Sequence, residues 1–222
     1  MRSKITLPDY TRREEICNMV THIVGGAFGL VALFFCVLRA AMNQDPWGIV
    51  SSLVYGLSIT LLFTMSSLYH GLIPVKAKKV FRVIDHCTIY LLIAGTYTPI
   101  VLVDLRPLTP VSAWVIFGIV WLSAVVAITL TAVDMNRFRV FSMVAYLAMG
   151  WCVLLCIQDA IRAVGAEGML LIFIGGVLYT VGAVIYSVGK KKKLTYAHSV
   201  FHVFVLLACI LHFFAIYCFV LA

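Results

Sequence analysis

Residues 195–221, TYAHSVFHVFVLLACILHFFAIYCFVL, form an apolar run that contains no Asp, Glu, Lys or Arg. A helix that crosses a bilayer needs about 20 consecutive, mostly apolar residues, so this run is long enough to span a membrane. Two histidines, His198 and His202, lie one helical turn apart near its start. Because a buried imidazole is costly in lipid, the pair indicates a polar pathway or a bound metal ion at this end of the span.

The rest of the chain repeats this pattern of long apolar runs divided by short polar segments. Its 222 residues are 63% hydrophobic and 12% charged, whereas a soluble domain has about 25% charged residues. The runs lack the alternation of membrane β-strands, which leaves helices as the spanning elements. We therefore predict an all-α membrane protein, one seven-transmembrane helix bundle over residues 1–222, with spans at about 18–41, 48–73, 83–103, 111–132, 139–158, 168–189 and 195–221.

The basic residues are distributed unevenly over the segments between these spans. If the N-terminus is cytoplasmic, the outer segments contain only three of them, and the inner segments contain fourteen: Arg2, Lys4, Arg12, Arg13, Lys76, Lys78, Lys79, Arg82, Arg137, Arg139, Lys190, Lys191, Lys192 and Lys193. The positive-inside rule then predicts a cytoplasmic N-terminus and an outer C-terminus in a plasma membrane. A basic cytoplasmic face in contact with anionic lipid explains the net charge of +8, so no nucleic-acid partner is expected.

Proline and glycine residues inside the spans predict where a helix bends and where two helices pack closely. Pro99 lies inside the third predicted span and should kink that helix, since it lacks a backbone N–H. Two groups of glycines predict surfaces of close helix contact: Gly25, Gly26, Gly29 and Gly175, Gly176, Gly182.

Most of the ionisable residues inside the spans lie at one depth. Five of the six histidines, together with Asp85 and Glu15, fall in the predicted cytoplasmic third, and His212 is the exception. Isolated core histidines would scatter in depth, so the shared level indicates a site. Ser66 and His70 share one helix face at i and i+4, as the pair on the last span does.

Two histidine-bearing helix faces and a nearby carboxylate predict a three-histidine metal site. Zinc with three protein ligands and an open position has the catalytic geometry, and imidazoles without aligned thiolates favour zinc, with iron and copper left open. Asp85 is the candidate general base or partner of a bound water, and Ser66 is the candidate oxyanion donor. Glu15, Asn18 and His22 share a face of the first span, which indicates a polar seam that supports the site.

Each of these assignments has an alternative. The histidines would otherwise be hydrogen-bonded between helices without a metal, and Asp85 would be an anion favoured by the helix dipole in a first turn. Ser66 would bond to the backbone of its own helix. His86 is expected to lie on a different helix face, at an interface, and His212 is expected to be a packing residue.

Four motifs carry a resemblance to a known family. They are Glu14-Glu15-x-x-Asn18-x-x-Thr21-His22, Ser66-x-x-Tyr69-His70, Asp85-His86 followed by Gly95-Thr96-Tyr97-Thr98-Pro99, and His198-x-x-x-His202. Together they resemble the hemolysin III family, bacterial-type relatives of the progestin and adiponectin receptors and the alkaline ceramidases. The resemblance implies that His70, His198 and His202 bind Zn²⁺, with Asp85 and Ser66 beside the metal.

The function expected from the site and the resemblance is a metal-dependent intramembrane hydrolase of a lipid amide or ester, ceramidase-like, with a membrane lipid as substrate or ligand. The alternative is a non-enzymatic, receptor-like or membrane-homeostasis protein in which zinc is structural. A pore-forming haemolysin is disfavoured because the chain is multispan and has no amphipathic pore segment. An ion transporter is disfavoured because no chain of charged residues reaches the outer half.

Overall fold

The computed structural model describes residues 5–222 as a bundle of seven helices. Each is long and apolar enough to cross a membrane, and these described residues contain no strand. The helices are α1 (Arg12–Met42), α2 (Pro46–Gly71), α3 (Val75–Leu108), α4 (Pro110–Asp134), α5 (Arg139–Val164), α6 (Ala166–Lys192) and α7 (Ala197–Val220). The all-α, seven-span class is confirmed. The orientation of the two ends remains a prediction from charge, and two of its basic residues, Arg2 and Lys4, lie outside the described residues.

The first helix begins before its apolar run because of its cap. Thr11 and Glu14 form a capping box: the Thr11 hydroxyl accepts from the Glu14 N–H, and the Glu14 carboxylate accepts from the Thr11 N–H at 2.9 Å. Two acidic residues, Glu14 and Glu15, therefore lie in the first turn, where the helix dipole favours negative charge. This early start brings Glu15 into the structured bundle.

The third helix also begins earlier than composition suggests. It starts at Val75, so the basic segment that includes Lys78 and Arg82 is helical and not a loop. Asp85 consequently lies about three turns into the helix. The alternative in which Asp85 is a first-turn anion is therefore wrong.

Two helices change geometry partway along their length. Pro99 ends the α-helical part of α3, and the helix continues as wider π-helical turns over Ile100–Leu105. In α5, a 3₁₀ segment over Cys152–Cys156 separates two α-helical parts. Ile100 and Val153 in these segments line an internal cavity. Irregular backbone is tolerated at membrane depth in such buried positions.

The helix order brings five helix ends together. α3 is the most buried span, α1 packs along α2, and α7 packs against α6 and α1. The starts of α1, α3 and α7 meet the ends of α2 and α6, and we call this the predicted cytoplasmic end. At the opposite end, Arg39 Nε and Asn43 Nδ2 each donate a hydrogen bond of 2.9 Å to the Leu221 carbonyl.

Glycines allow α1 and α2 to approach closely. A Cβ on Gly56 would lie 2.6 Å from Leu33 Cα, and a Cβ on Gly29 would lie 2.9 Å from the backbone nitrogen of Thr60. Gly26, which belongs to the same predicted contact surface, has room for a Cβ, since its nearest neighbour would be 3.8 Å away. The close contact therefore depends on particular glycines.

Gly56→Ala should destabilise the protein by about 1–3 kcal/mol, because the added methyl group meets the backbone of α1. Gly118→Ala is the matched control, since nothing lies within 4 Å of a Cβ at that helical position. It should be neutral or stabilising by up to about 1 kcal/mol. Thermal unfolding of the purified protein in detergent measures both. Equal melting temperatures would contradict the close approach of α1 and α2.

Candidate metal centre

Three histidine side chains from two helices converge at the predicted cytoplasmic end. His70 lies at the end of α2, and His198 and His202 lie in the first two turns of α7. His198 Nε2 is 3.3 Å from His70 Nε2 and 3.1 Å from His202 Nε2. Among residues 5–222 this is the one group of potential ligand side chains close enough to share a metal ion. We call it the histidine cluster.

Two rings of the cluster are oriented by partners that only accept hydrogen bonds. His70 Nδ1 lies 2.6 Å from Glu15 Oε2, and His202 Nδ1 lies 3.3 Å from the carbonyl oxygen of Asn18. The Thr21 hydroxyl is 3.4 Å from the same His202 nitrogen, but it donates its hydrogen to the backbone of its own helix at 2.9 Å and so can only accept from the ring. In the neutral rings Nδ1 therefore carries the hydrogen, which leaves a lone pair on each Nε2. Since His198 can donate a hydrogen to only one of them, electron-rich nitrogens lie close together. This arrangement favours a cation between them.

Two of the three nitrogen separations match those around a tetrahedral metal ion, and the three nitrogens all lie within 4.8 Å of one another. Zinc–nitrogen bonds of about 2.0–2.1 Å at the tetrahedral angle place two ligand nitrogens about 3.3–3.4 Å apart. The separations of 3.1 and 3.3 Å in the cluster are within a few tenths of an ångström of that value. Three imidazoles also leave the fourth position free, as in catalytic zinc sites. The residues present therefore fit a zinc ion held by His70, His198 and His202.

Glu15 connects the cluster to a cation on α3. One carboxylate oxygen accepts from His70, and the other lies 2.7 Å from Lys78 Nζ. A carboxylate behind a ligand histidine fixes the orientation of the ring and raises its basicity. Lys78 also lies 3.4 Å from the carbonyl oxygens of His70 and Leu72 at the end of α2. Sequence reasoning counts Lys78 only among the surface cations, because its spacing gives no sign of this contact.

The other two residues of the polar seam contact His202. Asn18 accepts from His202 through its backbone carbonyl, and its side-chain oxygen accepts from the Ser199 hydroxyl at 2.6 Å. The His22 ring stacks on the His202 ring with centroids 3.6 Å apart. The structure therefore places Glu15, Asn18 and His22 around the cluster and outside the set of three ligands.

A cavity of about 950 Å³ extends from the cluster into the bundle. Its walls are mostly apolar and come largely from α3, α5, α6 and α7, with His198 and His202 at one end. His212, about 15 Å further along α7, also lines the cavity. Its Nε2 donates to the Ile172 carbonyl at 3.0 Å, so its ring is held within the bundle interior.

Ser66 lies on the cavity wall and not against its own backbone. Its side chain is fully buried, and its hydroxyl has no hydrogen-bond partner within the part of the chain that the structure describes. Ser67, by contrast, donates to the Phe63 carbonyl of the same helix at 2.8 Å. The backbone-bonded alternative for Ser66 is therefore wrong. A buried hydroxyl without a partner is costly, so a ligand that pairs with it gains binding free energy.

Asp85 and His86 line the same cavity. The Asp85 carboxylate lies 3.7 Å from His86 Nδ1 and does not belong to the group of three potential ligands. His86 is predicted to lie on a different helix face, at an interface, and the structure adds that it lines the cavity, with its Nδ1 2.9 Å from the Arg82 carbonyl. Asp85 is thus available to a molecule inside the cavity.

Tyr10 covers the cluster from outside the spans. Its ring stacks on His198 with centroids 5.3 Å apart and an interplanar angle of 7°. Arg82 holds the preceding segment by donating from Nη1 to the Thr6 carbonyl. Burial raises the pKa of the Tyr10 phenol well above its usual value, so the group stays uncharged at neutral pH. Sequence reasoning misses Tyr10, since it precedes α1 and belongs to no periodic pattern.

Comparison with known proteins agrees with these features. Residues 10–213 match the family described as Haemolysin-III related. The chain is 35% identical over 222 residues to "Hemolysin-3" of Bacillus cereus, covering 100% of this chain and 98% of the relative. It is 36% identical over 197 residues to "Hemolysin-3 homolog" of Bacillus subtilis (strain 168), covering 89% of this chain and 90% of the relative. It is 27% identical over 213 residues to "Monocyte to macrophage differentiation factor" of Homo sapiens, covering 92% of this chain and 83% of the relative. The chain is therefore a multi-pass membrane protein that belongs to the Haemolysin-III related family.

Proposed function

We propose that this protein is a zinc-dependent intramembrane hydrolase of a lipid amide or ester, with a ceramide-like lipid as the nearest substrate class and a bacterial inner membrane as its location. The observation that carries the proposal is the convergence of three imidazoles, two of which, His198 and His202, line a mostly apolar cavity. Asp85 and the buried hydroxyl of Ser66 line the same cavity.

Different residues of the cavity would bind the metal, transfer the proton and stabilise the oxyanion. A zinc ion in the cluster would act as a Lewis acid and lower the pKa of a bound water to about 7. Asp85 would accept a proton from the attacking water and return it to the leaving amine or alkoxide as the carbonyl–nitrogen or carbonyl–oxygen bond breaks. Ser66 would donate a hydrogen bond to the developing oxyanion. The products are a carboxylic acid and an amine or an alcohol.

The position of the cavity favours a lipid substrate. Val144 and Leu154 of α5, and Leu170 and Phe173 of α6, line it, and between 50% and 59% of the surface of each residue is accessible. These apolar side chains are therefore available to an acyl chain inside the cavity. An acyl chain entering between α5 and α6 would reach the cluster without crossing water.

Metal analysis tests the ligand assignment. Wild-type protein should contain about one zinc ion per chain, and His198→Ala and His202→Ala should lose most of it, because two imidazoles no longer define a three-ligand site. His212→Ala is the control, since it removes a buried histidine of the same helix outside the cluster. Inductively coupled plasma mass spectrometry gives the content. Unchanged zinc in both cluster variants would contradict the assignment.

Glu15→Gln tests the contact behind His70. The amide can still accept the ring hydrogen, but it lacks the charge that supports the ligand, so zinc affinity should fall about 10–100-fold. Competition with a chromophoric chelator at fixed pH measures the affinity. Glu167→Gln, at an exposed position in the first turn of α6, is the control. A Glu15→Gln protein that binds zinc like the control would remove this role from Glu15.

Turnover assays test the proposed chemistry. Asp85→Asn should keep its zinc and lose about 100–10,000-fold in rate, the usual contribution of a general base. Ser66→Ala should also keep zinc and lose about 100–1,000-fold, as expected for an oxyanion donor. Fatty-acid release from a ceramide and from an ester lipid in detergent micelles is measured. Zinc-loaded wild type that cleaves neither would overturn the hydrolase and favour a structural zinc.

A further inference from the structure

Basic side chains from three helices line one end of the cavity. Arg82 of α3, Arg139 of α5 and Lys190 and Lys191 of α6 all belong to its wall at the predicted cytoplasmic end. Arg139 and Lys190 are exposed, so the cavity opens beside them. Lys190 lies within electrostatic range of both Arg82 and Arg139. We call these four residues the basic mouth. These residues come from three separate parts of the sequence, so it is the fold, and not one continuous basic segment, that brings them together.

The basic mouth has little negative charge to balance it. The ion pairs that Glu15 and Asp85 make within residues 5–222 are with His70, Lys78 and His86, and not with Arg82, Arg139 or Lys190. Asp85 is the acidic residue of the cavity wall, and its nearest ionic contact is His86. The region therefore carries an excess of positive charge, which attracts anions.

Arg82 is the most constrained member of the basic mouth. Its side chain is only 6% exposed, and one terminal nitrogen donates to the Thr6 carbonyl. Its Nε–H has no hydrogen-bond partner within residues 5–222. A buried guanidinium donor without an acceptor costs free energy, and an oxyanion is the acceptor that guanidinium groups bind best.

One aromatic ring separates the basic mouth from the histidine cluster. The Tyr186 ring centroid lies 5.7 Å from Lys190 Nζ and 5.1 Å from the His198 ring. Beyond the cluster the cavity walls are mostly apolar. A molecule that fits this space has a negatively charged head beside Lys190 and Arg139, a polar linkage near His198, and apolar chains further inside.

We infer that the basic mouth binds the oxyanion head group of an anionic lipid whose acyl chains occupy the cavity. Arginine and lysine pair with phosphate oxygens, and the apolar walls hold the chains. A free phosphate shares the head-group chemistry but makes no use of the walls. As a statement about substrate class, the inference rests on the proposed hydrolase and replaces the uncharged ceramide of that proposal with an anionic lipid amide or ester. As a statement about binding, it requires neither zinc nor turnover.

Native mass spectrometry of the full chain in a neutral detergent measures this binding. With dioleoylphosphatidylglycerol as the probe, Arg139→Gln/Lys190→Gln should bind on the order of tenfold more weakly than wild type, because two cations are lost. Lys192→Gln/Lys193→Gln removes the same charge from neighbouring exposed residues that do not line the cavity. This control should bind like wild type. Dioleoylphosphatidylcholine, which has the same chains and no net charge, should bind more weakly than the anionic probe.

The remaining outcomes separate the sources of the effect. Equal losses in the two double variants would mean diffuse surface attraction and would overturn the inference. Displacement of the lipid by millimolar inorganic phosphate would assign the site to a soluble anion and overturn the lipid part, whereas retention supports it. The His198→Ala protein should still bind the anionic probe. Wild-type protein that contains no zinc and cleaves no lipid, but keeps this binding, would refute the proposed hydrolase and leave the basic mouth in place.

Discussion

An imidazole inside a membrane has two nitrogens and no bulk water to satisfy them, and this constraint organises the predicted cytoplasmic end of the bundle. His70 donates its Nδ1–H to the Glu15 carboxylate of α1, and His202 donates its Nδ1–H to a backbone carbonyl of the same helix. The Nε2 lone pairs of the two rings are then stabilised by a positively charged partner. A metal ion bound there would tie α2 to α7, and α1 would hold the ligands. Metal binding and the stability of the folded bundle would therefore be coupled.

The register of α1 follows from the same requirement. Glu15 has to reach His70, Asn18 has to present its carbonyl to His202, and His22 has to stack on that ring. Steps of three and four residues put all three on one helix face. The capping box secures this arrangement, because it starts the helix at Arg12, before the apolar run, and so keeps Glu15 helical. Glu14 adds a second tie by accepting from the Tyr196 N–H at 2.9 Å, just before α7.

The seven spans and the grouping of the three histidines can be predicted from the sequence, because both depend on patterns that are visible along the chain. Span identity depends on apolar length, and the paired residues depend on helical spacing, with the family resemblance naming the ligands. The contributions of Tyr10, Lys78 and Arg82 are not predictable in this way, since each depends on a contact between segments distant in sequence. Helix starts are missed for a related reason. Hydropathy reports burial in lipid, whereas Val75 begins a helix whose first turns are basic.

Positive charge is concentrated at the end of the cavity that contains both the candidate metal centre and the basic mouth. The cluster contributes three imidazoles, which are neutral ligands, so a divalent ion there would bring two positive charges to a region whose negative charge comes from Glu15 and Asp85. Lys78 already neutralises Glu15 on its other oxygen. Arg82, Arg139 and Lys190 add further positive charge one aromatic ring away. In the low dielectric of the bundle such an excess is costly. A neutral lipid would leave that cost in place, whereas an oxyanion head would reduce it, so electrostatics alone selects an anionic amphiphile over a neutral one of the same shape.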